Sequence, residues 1–91
     1  MRRSKKLPPD YLSKRQRLLA PLRDAAAMDS AAREVITKEG FIRYFLALQP
    51  YYQTNEQAYE AVESEHLRIT GQRKYAEYIS FKNVVSKHFP K

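Results

Sequence analysis

The sequence predicts an all-α fold: one small domain built as a bundle of four or five helices, ending in a helix–loop–helix. Three observations carry this. Apolar residues recur at three- and four-residue spacing along most of the chain, capping patterns punctuate those runs, and no segment alternates strictly as a half-buried strand would. At 91 residues and 43% hydrophobic content, the chain has material for one modest core.

Residues 1–10 are basic, contain Pro8-Pro9 and hold only Leu7 as an apolar residue after Met1. They read as a flexible arm ahead of a helical domain at 11–91. The arm is Arg-rich like a mitochondrial presequence, but the proline pair opposes a terminal amphipathic helix. Arg23 and Asp24 break the one run, 18–28, that could act as a signal core, so the arm reads as part of the mature chain. Ser13 with Gln16 then fits a capping box. Leu12, Leu18, Leu19, Leu22 and Ala26 follow near helical spacing, with Pro21 predicting a kink or two short helices. Asp29 or Ser30 offers the next N-cap. Ala32, Val35, Ile36, Phe41 or Ile42, Phe45 and Leu48 keep the helical period, either as one long helix or as two joined at Gly40.

Gln49-Pro50 closes that element. Thr54 with Gln57 forms a second capping box, opening a helix over 54–70 with Gly71 placed as its C′ residue. Tyr59, Val62, His66 and Ile69 mark its apolar face, and Glu56, Glu60 and Glu63 a separate acidic one. Residues 72–79 read as a loop. Ser80 caps a last helix with Phe81, Val84, Val85 and His88 on its apolar side, ending before Pro90.

Charge divides the chain into three. Residues 1–23 carry a net +7, residues 24–66 a net −5 and residues 67–91 a net +5. Two basic ends around an acidic middle point to a polyanionic partner. The absence of cysteine excludes disulfides, thiolate metal sites and a cysteine nucleophile. No apolar run approaches the roughly 20 residues of a membrane span, so a membrane partner is not expected and the chain reads as cytoplasmic.

Catalytic and cofactor chemistry find little support. His66 and His88 both fall on apolar faces, where a histidine reads as a hydrogen-bonded core residue rather than a metal ligand. Glu63-x-x-His66 has di-iron spacing but no second copy. With only Gly40 and Gly71, no glycine-rich phosphate loop exists. The sequence therefore predicts a non-enzyme without metal or cofactor.

The C-terminal third carries the functional expectation. The loop sets Arg73 and Lys74 beside Tyr75 and Tyr78, and the tyrosines read as half-buried anchors rather than base-stacking platforms. On the last helix Lys82, Asn83, Ser86 and Lys87 share the face opposite Phe81, Val84 and Val85. Such a face can reach phosphates and base edges in a major groove, although the nine-residue connection exceeds that of a standard helix-turn-helix. The leading expectation is a nucleic-acid-binding protein. Phosphate contacts come from Arg2, Arg3, Lys5, Lys6, Arg73, Lys74 and Lys87, with Lys82 and Asn83 as base readers. The alternative is a protein-interaction module or homodimer that docks through the acidic stripe or the apolar run 41–48. Binding of a membrane surface by 14–28 is weaker, since Pro21 and Asp24 spoil the amphipathic face.

The segments Ala58-Tyr59-Glu60-Ala61-Val62-Glu63, Gly71-Gln72-Arg73-Lys74-Tyr75 and Tyr78-Ile79-Ser80-Phe81-Lys82 together resemble a pattern in short uncharacterised helical proteins of bacterial mobile elements. The resemblance spans about the last third of the chain. It implies a small accessory protein that handles nucleic acid or a protein partner.

Overall fold

Pro8-Pro9 turns the chain into its first helix. The Pro8 carbonyl accepts from the Tyr11 amide at 3.1 Å and the Asp10 carbonyl from that of Lys14 at 3.0 Å. In the computed structural model, which describes residues 6–24 and 30–88, helix α1 (Tyr11–Arg23) starts there. The Ser13–Gln16 box is therefore not used: both residues already lie inside a helix whose N-cap is Asp10. Pro21 neither splits α1 nor ends it at once. It sits in the last turn, where its missing amide removes a single intrahelical bond. Leu19 and Leu22 are buried and Leu18 half-buried, but Leu12 is exposed, because only the second half of α1 is buried in the bundle. Ala26 and the proposed Asp29 cap lie outside the described residues.

Helix α2 (Ser30–Ile36) and helix α3 (Lys38–Leu48) meet at an elbow. The break falls at Thr37, three residues before Gly40. Thr37 is extended (φ −76°, ψ 155°), and its hydroxyl oxygen accepts from the Gly40 amide at 3.0 Å, capping α3. The same hydroxyl donates to the Glu34 carbonyl at 2.7 Å, stitching the two helices together. Gly40 has a different task from the one its position in the pattern predicts. A Cβ there would lie 1.8 Å from the Glu34 carbonyl oxygen, so glycine lets α3 fold back this closely on α2.

Phe41, Ile42, Phe45 and Leu48 are all buried, which makes α3 the central helix of the bundle, packed against α1, α2 and helix α4 (Asn55–Thr70). A 3₁₀ turn, Gln49–Tyr51, carries Pro50 and closes α3 as expected. The Thr54–Gln57 cap also forms. Thr54 Oγ1 accepts from the Gln57 amide at 3.1 Å, and Gln57 Oε1 reaches back to the Gln53 amide at 3.1 Å. Gly71 ends α4 in the left-handed region, φ 80°, its amide donating to the Leu67 carbonyl.

Helix α5 (Tyr78–His88) starts two residues ahead of Ser80, so the connecting loop is residues 71–77. The first turn closes without a Ser80 cap, through the Phe81 amide and the Glu77 carbonyl at 3.3 Å. Phe81 is the one fully buried side chain of α5. Its ring lies 4.8 Å from Phe45, 4.9 Å from Tyr59 and 5.3 Å from Phe41, centroid to centroid. That aromatic cluster, flanked by Leu19, Leu22, Val35 and Val62, is the core. The described residues thus form an all-α, single-domain bundle of five helices with a C-terminal helix–loop–helix.

Candidate nucleic-acid interface

The exposed face of α5 is held out from the bundle by the loop before it, and one buried carboxylate holds that loop. Glu63 has no solvent exposure. Its Oε2 accepts from the Tyr59 hydroxyl at 2.6 Å and the Tyr75 amide at 2.9 Å, and its Oε1 from the Lys74 amide at 2.8 Å. Three donors compensate the cost of burying its charge. Glu63 was expected on an exposed acidic face with Glu56 and Glu60; that reading is corrected, because residues 71–77 fold back over this part of α4.

The network continues outward. Arg73 grips Glu60 with two nitrogens at 3.0 and 3.1 Å, donates to the Tyr59 hydroxyl at 3.2 Å and to the Tyr75 carbonyl at 3.3 Å. The hydrogen bonds to Glu60 hold its guanidinium well above its ordinary pKa. Burial, reinforced by the Glu63 hydrogen bond, raises the Tyr59 phenol far above 10.0, and burial also raises Tyr75 and Tyr78. Lys74 is half-buried, its ammonium donating to the Ile36 carbonyl and lying 5.8 Å from the Tyr75 ring centre. Arg73 and Lys74, read as phosphate contacts, are therefore both engaged within the fold. Tyr75 and Tyr78 are half-buried anchors as expected: Tyr75 sits edge-on to Phe41 at 5.4 Å, and Tyr78 lies 5.5 Å from Tyr59.

His66 is a satisfied core histidine. It is 6% exposed, with Nδ1 2.7 Å from the Gln72 carbonyl oxygen and its ring edge-on to Phe41. Among the described residues, no group of three acidic or histidine side chains gathers in a way that could hold a metal.

On α5 the side chains of Lys82, Asn83, Ser86 and Lys87 are all exposed, while Phe81 is buried and Val84 and Val85 are half-buried behind them. Lys82 and Lys87 make no ion pair among the described residues; Lys82 only rests 5.8 Å from the Tyr78 ring centre. From Tyr78 to the chain end there is no acidic residue. Two ammonium groups and a neutral amide on one helical face can contact phosphates and hydrogen-bond a base edge. Lys6 is exposed, and Arg2, Arg3 and Lys5 lie outside the described residues.

One feature escaped the sequence reading. Arg15 of α1 donates through Nε to the Tyr51 carbonyl at 2.5 Å, and its guanidinium carbon lies 4.7 Å from the Tyr11 ring centre and 4.0 Å from that of Tyr52. Tyr11 at four residues' spacing was a local signal. Tyr52, far along the chain, left none. Among the described residues no helix is long and apolar enough to cross a membrane. No family model matches the chain, and no curated protein or solved structure shows significant similarity to it.

Proposed function

We propose that the chain is a non-enzymatic nucleic-acid-binding protein that lays the exposed face of α5 against duplex and adds phosphate contacts from its basic arm. One observation carries this: Lys82, Asn83, Ser86 and Lys87 project together, free of acidic neighbours in sequence and, for both lysines, free of ion pairs among the described residues, from a helix whose opposite side is anchored by Phe81. A surface helix with unneutralised cations releases counterions when it meets phosphates, which supplies affinity. Asn83 between the lysines supplies a bidentate group for a base edge. Arg73 and Lys74 leave the set of phosphate contacts and become positioning residues for the loop that carries α5.

The test is the salt dependence of duplex binding by the full chain. With Arg2, Arg3, Lys5, Lys6, Lys82 and Lys87 contributing, log Kd against log salt should have a slope of roughly 5 in magnitude. The Lys82→Ala/Lys87→Ala double variant should lower it by about 2. Undetectable duplex binding at low salt, together with a stable complex with an unrelated protein, would favour an interaction module instead.

A further inference from the structure

A concave surface lies between the start of α1 and the first half of α4, with no residue of α5 in its walls. The groove has a volume of about 850 Å³, and Leu7, Tyr11, Arg15, Tyr52, Gln57 and Ser64 are among its walls. That size falls within the roughly 300–1,000 Å³ of small-ligand sites. Arg15 is braced there by the Tyr51 carbonyl and faces two half-buried phenol rings. It forms no ion pair among the described residues, although Glu56 and Glu60 border the same groove. Glu60 is already neutralised by Arg73.

A guanidinium fixed through Nε keeps its terminal nitrogens for an anion, and its planar fork matches phosphate geometry. The Tyr11 ring beside it offers a stacking surface that tolerates any base. Glu56 and Gln57 supply acceptor and donor groups at the wall for the edge of such a base. Leu7 lies at the rim, with exposed Lys6 next to it in the chain.

We propose that this groove binds a nucleotide, its phosphate on Arg15 and its base against Tyr11. This rests on the nucleic-acid reading above but uses a surface separate from α5. The nucleotide comes either free or as one unit of a single strand.

Fluorescence anisotropy on the full chain tests it, using a labelled single-stranded oligodeoxyadenylate of about a dozen nucleotides and, in parallel, a duplex. Tyr11→Ala should weaken single-strand binding about tenfold, the loss of one stacked base, and Arg15→Gln at least as much. Since Arg15→Gln also removes the brace on Tyr51, Ser64→Tyr provides a variant that fills the groove from an exposed position and leaves the brace in place. All three should leave duplex affinity within about twofold, because phosphate contacts elsewhere are intact. Displacement of the strand by adenosine monophosphate marks a free-nucleotide site; loss of binding in the variants without such displacement marks a single-strand site. Either result upholds the groove. Variants that bind the strand like wild type overturn it, as does a wild type that binds duplex but ignores both the strand and directly titrated adenosine monophosphate, and both outcomes leave the α5 reading standing. A wild type that binds none of the three overturns both.

Discussion

Glu63 and Tyr59 show how few residues hold the C-terminal helix–loop–helix in place. Glu63 accepts from two loop amides and one phenol in a site closed to water, so its removal strands both amides and leaves the phenol only its 3.4 Å contact with the Tyr75 carbonyl. Each buried donor left unpaired costs roughly 1–3 kcal/mol. Glu63→Ala should therefore lower stability by about 3 kcal/mol or more, a fall in Tm of more than about 10 °C. Glu56→Ala, at an exposed position on the same helix, should stay within about 0.5 kcal/mol. Differential scanning calorimetry of the two variants checks the contrast. By the same logic Tyr75→Ala and Tyr78→Ala, which strip rings from the aromatic cluster, should each cost more in Tm than Lys74→Ala.

Between elements, the two glycines make opposite demands. At Gly40 the obstacle to a side chain is space, since a Cβ would collide with the Glu34 backbone. At Gly71 it is conformation: nothing lies within 4 Å of a Cβ there, but φ is +80°. Gly40→Ala has to push α2 and α3 apart, and overpacking of that kind costs about 2 kcal/mol or more, beyond the roughly 1 kcal/mol that alanine gains in helix propensity. Gly71→Ala should cost only about 1 kcal/mol, the left-handed penalty with no clash added. Urea denaturation should rank wild type, Gly71→Ala and Gly40→Ala in falling midpoint. Helix α5 depends on the same kind of joint contact, with Phe81 as its one fully buried side chain. Phe81→Ala, at a cost of about 3–5 kcal/mol, should release α5 and with it any duplex binding.

For the molecule as a whole, pH and salt report on different parts. Tyr59, Tyr75 and Tyr78 all hold their protons more tightly in the fold than in an unfolded chain, where the ordinary value is 10.0. Their contribution to stability is fully present below pH 10 and is lost as pH rises from there towards the raised folded values, because the unfolded chain gives up its phenol protons first. Unfolding free energy should thus fall from about pH 10 upward, and the fall should be shallower in Tyr59→Phe. That variant starts from a lower stability at neutral pH, having lost a charged hydrogen bond worth about 1.5–3 kcal/mol. Salt acts on the proposed interface instead. Deletion of residues 1–6 should flatten the salt slope of duplex binding by roughly 3–4 and weaken all sequences alike, whereas Asn83→Ala should alter sequence preference at nearly constant slope. Arg73→Ala should lower Tm while leaving the slope unchanged, since its guanidinium is already matched by Glu60.

The features legible in the amino-acid order are those that act within a turn or two of chain. The Thr54–Gln57 cap, Gly71 as a helix stop, Pro50 at the end of α3 and the apolar run of the central helix are local, and each formed where the spacing placed it. So did the exposed face of α5, because a helix of known phase assigns its own sides. The sequence by itself determined the all-α class, most helix positions and which α5 residues face outward. Tertiary structure alone decided which of those groups remain available. Glu63 has the spacing of a solvated surface carboxylate and is buried only because a loop eight to fourteen residues later closes over it. Arg73 is neutralised by a glutamate thirteen residues back, and Arg15 gains a second ring thirty-seven residues on. Gly40 is required by a carbonyl six residues earlier that only the elbow at Thr37 brings near. Burial and pairing belong to whatever segment covers a residue, and covering is a property of the packed chain rather than of any stretch of it.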